Sequence, residues 1–184
     1  MRSYIARPDQ DPGSLFARLA GFTPSSNTLS LASATTRTPG REQMNKLEIT
    51  TLVDVCGLDI PRLEAVVKQL LSDNEVHLPI SCVLTHDTHI RQLNKKYRNI
   101  DKTTDVLSFE LSDAIHPEAH YCGEIYISVD RARQQAKAHN RSLQAEITHL
   151  TVHGTLHLLG FEHDTPEGYT QMQNEEKKYL TLIE

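Results

Sequence analysis

The chain has only three cysteines, Cys56, Cys82 and Cys122, and no CxxC pair among them. An odd number spread this widely argues against a disulfide framework and against a cysteine-rich zinc site, and it suits a reducing compartment. Long apolar runs are missing too. Nothing approaches the roughly 20 residues that cross a bilayer, which argues against a membrane protein. There is no internal repeat and no excess of positive charge: 19 lysines and arginines stand against 24 acidic residues, a net of -5. Such a chain has no global field for a polyanion, so any nucleic-acid contact has to come from a local basic patch. What is present, 184 residues at 38% hydrophobic and 23% charged, is enough for one domain with a proper core.

The first 43 residues differ from the rest. "TPSSNTLSLASATTRTPG" is rich in serine and threonine, and no acidic residue occurs between Asp11 and Glu42. The one apolar cluster, "SLFARLAGF", is too short for a secretory signal core. Three readings stand: an upstream-start artefact with Met44 the true initiator, an organellar transit peptide, or a disordered extension. All three leave it outside the folded domain, expected over 44–184. That domain is more acidic than the whole chain, since 1–43 carries five arginines against three acids.

From residue 44 the pattern becomes regular. "KLEITTLVD" reads as a first strand. "IPRLEAVVKQLLSD" sets Ile60, Leu63, Val66, Val67, Leu70 and Leu71 on one helical face, with Asp59 as cap and Pro61 in the first turn. "VHLPISCVLT" is strand-like, its proline pointing to an edge strand or a strand end. "DTHIRQLNKKYR" is a short helix, "DVLSFEL" and "GEIYISV" are β-rich runs around a polar loop with Pro117, and "DRARQQAKAHN" is a polar helix. "SLQAEITHLTVHGTLHLLG" is the most apolar helix, opened by Ser142 and closed by Gly160. A last amphipathic helix follows Thr165 and Pro166. Interleaved strands and helices without steady βαβ alternation predict an α/β (α+β) single domain. Its mixed four-stranded sheet packs with helices, one of which carries a metal site near the C-terminus.

That site is read from "HGTLHLLGFEHD". His153 and His157, four apart, share one helix face about 6 Å along the axis, within reach of one ion at metal–nitrogen distances of ~2.0–2.1 Å. Gly160 can take positive φ and turn the chain back, so that His163 points at the same ion. The spacing is that of HExxHxxGxxH zinc proteases, with one thing missing: Gly154 stands where the general-base glutamate belongs. Three imidazoles favour zinc, with nickel, copper or iron also admitted by ligand type. Three protein ligands leave a fourth position open, the arrangement of a catalytic rather than a closed structural site. His149, one turn earlier on the same face, is expected to line the pocket or stand behind a ligand, or simply to pack. A second cluster, "RQLNKKYRNIDKTTDVLSF", gathers Arg91, Lys95, Lys96, Arg98 and Lys102. It is either a solvated helix face or an electropositive rim in which an arginine clamps a phosphate.

Together these blocks resemble the YbeY family, the single-strand endoribonucleases and ribosomal RNA maturation factors. "HGTLHLLGFEH" is similar to that family's histidine motif, and "LNKKYRNIDKTTDVLSFE" and "GEIYIS" resemble its other two blocks, in the same order. The resemblance covers about residues 45–184. It implies one Zn2+ per chain on His153, His157 and His163, and a functionally essential arginine at Arg98. Asn99, Ile100 and Thr103 depart from the family's usual loop residues, and Glu124 and Glu162 stand for its usual aspartates.

The function it implies is a zinc-dependent, single-strand-specific endoribonuclease. It would act in rRNA processing, at the small-subunit rRNA 3′ end, and in ribosome quality control. Expected partners are rRNA, the ribosomal small subunit and ribosome-associated proteins, with no DNA and no membrane. Location is cytoplasmic, or organellar if 1–43 is a transit peptide. Two alternatives stay open: a non-catalytic, zinc-stabilised ribosome-assembly factor, and a metalloprotease-like hydrolase. Glu124, Asp105 and His149 are the side chains available as auxiliary bases.

Overall fold

The apolar period over residues 60–73 folds as expected. Helix α1 (Ile60–Asp73) starts at Asp59, whose side chain accepts from the Arg62 N–H, and buries Leu63, Val66, Val67, Leu70 and Leu71. The computed structural model describes residues 46–111 and 121–181. The 1–43 segment and the polar loop around Pro117 lie outside the described residues. The other elements in chain order are β1 (Leu47–Thr51), β2 (Ile80–Thr85), α2 (Asp87–Arg98), β3 (Val106–Glu110), β4 (Gly123–Ser128), α3 (Val129–Ala138), α4 (Leu143–Leu158) and α5 (Pro166–Leu180). Among the described residues no helix is long and apolar enough to cross a membrane.

The sheet is mixed, as the interleaved pattern predicts. Its order is β1-β2-β4-β3, with β1, β2 and β4 parallel and β3 antiparallel to β4. Strand β2 is therefore internal, and of the two meanings of its proline the strand end is the one realised. Pro79 precedes the ladder, where its missing N–H costs nothing, and its carbonyl accepts the Cys122 N–H at 2.8 Å.

Register divides the side chains between two faces. Cys82 is paired with Ile125 and Ser108 with Ile125, so these share one face with Leu84, Val106 and Ile127. That face packs on α1, α3 and α4 through Leu63, Val67, Ala132, Ile147, Leu150 and Leu158. The opposite face carries Val83, Leu107, Phe109 and Tyr126 and packs on α2 through Ile90 and Leu93.

Helix α4 is apolar on nearly all sides because it is enclosed on nearly all sides. Its buried threonines would be costly with bare hydroxyls. Thr148, Thr151 and Thr155 instead donate to the carbonyls four residues back, at 2.8 to 2.9 Å. Val152 and Leu156 complete a third apolar cluster with Val66 and Leu70 of α1 and Met172 and Tyr179 of α5. Leu156 is fully buried there. Leu156→Ala is expected to cost ~2–5 kcal/mol of unfolding free energy, measured by denaturant titration. A cost below ~1 kcal/mol would mean that the α1–α4–α5 junction is not tightly packed.

Candidate metal centre

Helix α4 presents its histidines because of how the rest of it is held. Residues 150, 154 and 158 face the sheet, where a Cβ at Gly154 would meet Ile125 Cγ2 at 2.8 Å and Ser108 Oγ at 3.0 Å. Ser108 Oγ donates to the Gly154 carbonyl at 3.0 Å. Thr151 reaches Cys82 of β2, so the side of α4 bearing His153 and His157 faces the other way, past the edge strand β3. The opening left by the absent glutamate thus closes. Position 154 points into the sheet rather than toward the histidines, and admits no side chain without displacing a β-branched neighbour.

The end of α4 turns as its glycine predicts. Gly160 has φ +85°, its N–H bonds the His157 carbonyl at 2.9 Å, and the Phe161 N–H bonds the Leu156 carbonyl at 3.0 Å. This is a Schellman motif, with Phe161 and Leu156 in apolar contact. The reversed chain brings His163 back to His153 and His157, and ligand atoms of the three lie within 4.8 Å of one another. Ring centroids of His163 are 5.5 Å from His153 and 5.1 Å from His157. Gly168, at the start of α5, lets this loop lie close, since a Cβ there would meet the Glu162 carbonyl at 2.6 Å.

The cluster passes a chemical test for a cation. Nε2 of His153 and Nε2 of His157 face each other at 3.1 Å, close to the ~3.3 Å expected of two ligands on a tetrahedral ion. Nδ1 of His153 lies 2.6 Å from Glu176 Oε1. A carboxylate only accepts, so this nitrogen carries the hydrogen, and in the neutral ring Nε2 then keeps its lone pair. Burial, with the charges of His153 and His163, pushes the His157 ring down to about 4. It is therefore neutral, as a ligand must be, at physiological pH.

Glu176 is the site residue that sequence reasoning missed. Burial alone pushes its carboxyl up, but the hydrogen bonds and charges of His149 and His153 together outweigh this and hold it at about 2. His149 does not join the ligand group. Its Nε2 lies 3.5 Å from Glu176 Oε2, and that contact, against burial, raises its pKa. One signal for Glu176 was available: it occupies the same helical stripe as Met172 and Tyr179, a charged residue on an apolar face.

The other candidates fall elsewhere. Glu124 is buried on the sheet face opposite α4, where Tyr126 donates to it at 3.1 Å and burial raises its pKa. Asp105 accepts from Gln135 at 2.7 Å and from the Val106 N–H at 2.9 Å, a structural role at the start of β3. Asp164 is exposed. Arg98 is the last residue of α2, half-buried, ahead of Asn99 in the left-handed region. Its helix packs on the sheet face opposite α4, with the neighbouring Tyr97 ring 5.2 Å from that of Phe109 in β3. Within the basic cluster, Asp101 takes two cations, Arg91 at 2.7 Å and Lys95 at 2.9 Å. The outward charge of the rim is smaller than its count of lysines and arginines.

A mixed α/β sheet with an open three-histidine group on helix α4 and the turn behind it defines a metallohydrolase-like protein that could hold one metal ion. Comparison with known proteins narrows this. The model of the family "Endoribonuclease YbeY" matches residues 49–184, and the chain belongs to that family. A relative from Caldanaerobacter subterraneus subsp. tengcongensis is 36% identical over 146 residues, covering 72% of this chain and 92% of that protein. One from Heliobacterium modesticaldum is 44% identical over 111 residues, covering 55% and 67%. Both are named endoribonuclease YbeY. The solution structure of a Thermotoga maritima protein, 24% identical, shares the fold with a TM-score of 0.53, covering 73% of this chain and 86% of that one.

Two outcomes follow from the geometry. Gly154→Glu is expected to destabilise the fold by at least ~3 kcal/mol, through overpacking and a carboxylate buried against the sheet, and to confer no peptidase activity. Thermal melting and a peptide-cleavage assay check both parts. In the metal-free chain, His157 takes a proton near 6.5 when unfolded but near 4 when folded. The unfolded state therefore binds more protons between these values. Stability should fall as pH drops from about 6.5 to about 4, by on the order of 3 kcal/mol. The raised His149 acts in a window above 6.5 and does not offset this. Denaturant titrations of the chelated protein at pH 7, 5.5 and 4 test it, and a flat profile contradicts it.

Proposed function

We propose that this chain is a metal-dependent endoribonuclease that cleaves single-stranded RNA during rRNA processing. The carrying observation is the convergence of His153, His157 and His163 in a chain whose family match spans residues 49–184. In this reading the three histidines hold zinc, which imidazole ligands favour. The bound ion supplies Lewis-acid charge for attack of water on a phosphodiester. Arg98, at the end of α2, holds a non-bridging phosphate oxygen and offsets charge that grows in the transition state. No base is asked of position 154, because the substrate's own oxygens can accept the proton. The rim around Arg98 and Lys102 guides the strand, with a modest salt slope because Asp101 neutralises part of it.

The substrate in the cell is the small-subunit rRNA 3′ end, and the partners are the small subunit and its associated proteins. The functional unit is 44–184, with 1–43 outside it, and its place is the cytoplasm, or an organelle if 1–43 is a transit peptide. Two features weigh against the competing readings. The ligand group among the described residues numbers three, which leaves the open position that a purely structural zinc site lacks. The space at position 154 weighs against a peptidase.

The test is cleavage of a single-stranded fragment of small-subunit rRNA precursor by the full chain carrying one zinc. A chelated sample and Arg98→Ala at equal zinc content run beside it. Chelation should abolish cleavage, and Arg98→Ala should slow it ~10²–10³-fold. An Arg98→Ala protein as fast as wild type removes the arginine from the proposal. Cleavage that survives chelation removes the metal.

A further inference from the structure

The ligands themselves come from α4 and the turn behind it, yet the hydrogen bond to His153 Nδ1 comes from another helix. Glu176 of α5 sets Oε1 2.6 Å from that nitrogen and Oε2 3.5 Å from His149 Nε2, with only 15% of its side chain exposed. Behind it, His149 Nδ1 lies 3.9 Å from Glu146 Oε1, and Glu146, 1% exposed, faces Arg141 at 4.0 Å on its other oxygen. Carboxylates and imidazoles thus alternate from the metal group back to the start of α4.

A half-buried carboxylate that faced no donor would be expensive, and such a group is retained where its partners need it. What His153 needs is one tautomer. Free in water, an imidazole samples both, and only the form with hydrogen on Nδ1 turns a lone pair toward His157. The hydrogen bond from Nδ1 to the carboxylate also opposes a flip of the ring, which would put Cδ2 in place of Nδ1 and Cε1 in place of Nε2.

We infer that Glu176 is a positioning residue of the metal centre: its carboxylate holds His153 in the Nδ1–H tautomer with Nε2 aimed at the ion, while His149 braces the carboxylate from behind. The inference rests on the three-histidine metal reading. It also ties metal loading to the docking of α5, because a carboxylate on that helix completes a site built on α4.

The test uses the full chain as wild type, Glu176→Gln and Glu176→Asp. Zinc affinity is measured by competition with a chelator of known affinity, and the His153 tautomer in the metal-free chain by long-range proton–nitrogen NMR. Wild type should show His153 as the Nδ1–H form. Glu176→Gln, nearly the same shape, should lose that uniform tautomer and weaken zinc about 10–100-fold, with Glu176→Asp between the two. A wild type that binds no zinc sinks the three-histidine reading itself. Tight wild-type binding, with Glu176→Gln within twofold and the tautomer unchanged, sinks the Glu176 inference alone. That holds even if metal-free stability falls, since a mere bridge between helices would do this much. Should Glu176→Gln not fold, the wild-type tautomer decides, and an Nε2–H His153 overturns the inference.

Discussion

Helix α4 approaches the sheet so closely at residue 154 that its backbone carbonyl takes a hydrogen bond from Ser108 and no Cβ fits between. That contact sets the rotation of the helix, and the site depends on the rotation. With 150, 154 and 158 against the strands and 152 and 156 against α1 and α5, His153 and His157 are left to face the open side of edge strand β3. A larger residue at 154 would lift or roll the helix. The glycine that stands where a protease motif has its catalytic glutamate is here a packing requirement.

The second constraint is electrostatic. Burial first, and then the charges of two neighbouring imidazoles, hold the pKa of His157 low. The Glu176 carboxylate, set against His149 and His153, compensates on the other side. Crowding bases around a point while supplying a carboxylate behind one of them is how a protein prepares a cavity for a positive ion. The Schellman turn at Gly160 closes the triangle, because a continuous helix would carry the third imidazole along the axis and out of reach.

Most of the secondary structure was legible in the chain because its cues are local. Asp59, Ser142 and Thr165 cap the helices they precede, and apolar spacing marks the buried face of α1 at every position but Ile60, which is only half-buried in the first turn. The histidine triad was legible for the same reason, since all three ligands and the turn that joins them lie within eleven residues. Asp101 shows the limit. Counting cations left a solvated helix face and an electropositive rim both open, while an acid inside the cluster captures two of the cations, and only side-chain geometry reveals which. Glu124 shows it again. As a carboxylate in a family block it looked available for chemistry, and the sheet register turns it to the opposite face.

The sequence by itself determined the helices, the strand-forming runs, the metal-ligand spacing and the family, each written in neighbours a few residues apart. Only the tertiary structure decided that a Cβ at position 154 would collide with the sheet, that Glu176 stands behind His153, and that the helix ending at Arg98 packs on the sheet face opposite the helix that carries His153 and His157. Those relations join residues from 23 to more than 50 positions apart. They depend on strand order and on the rotation of a buried helix, which close packing selects and local pattern leaves open.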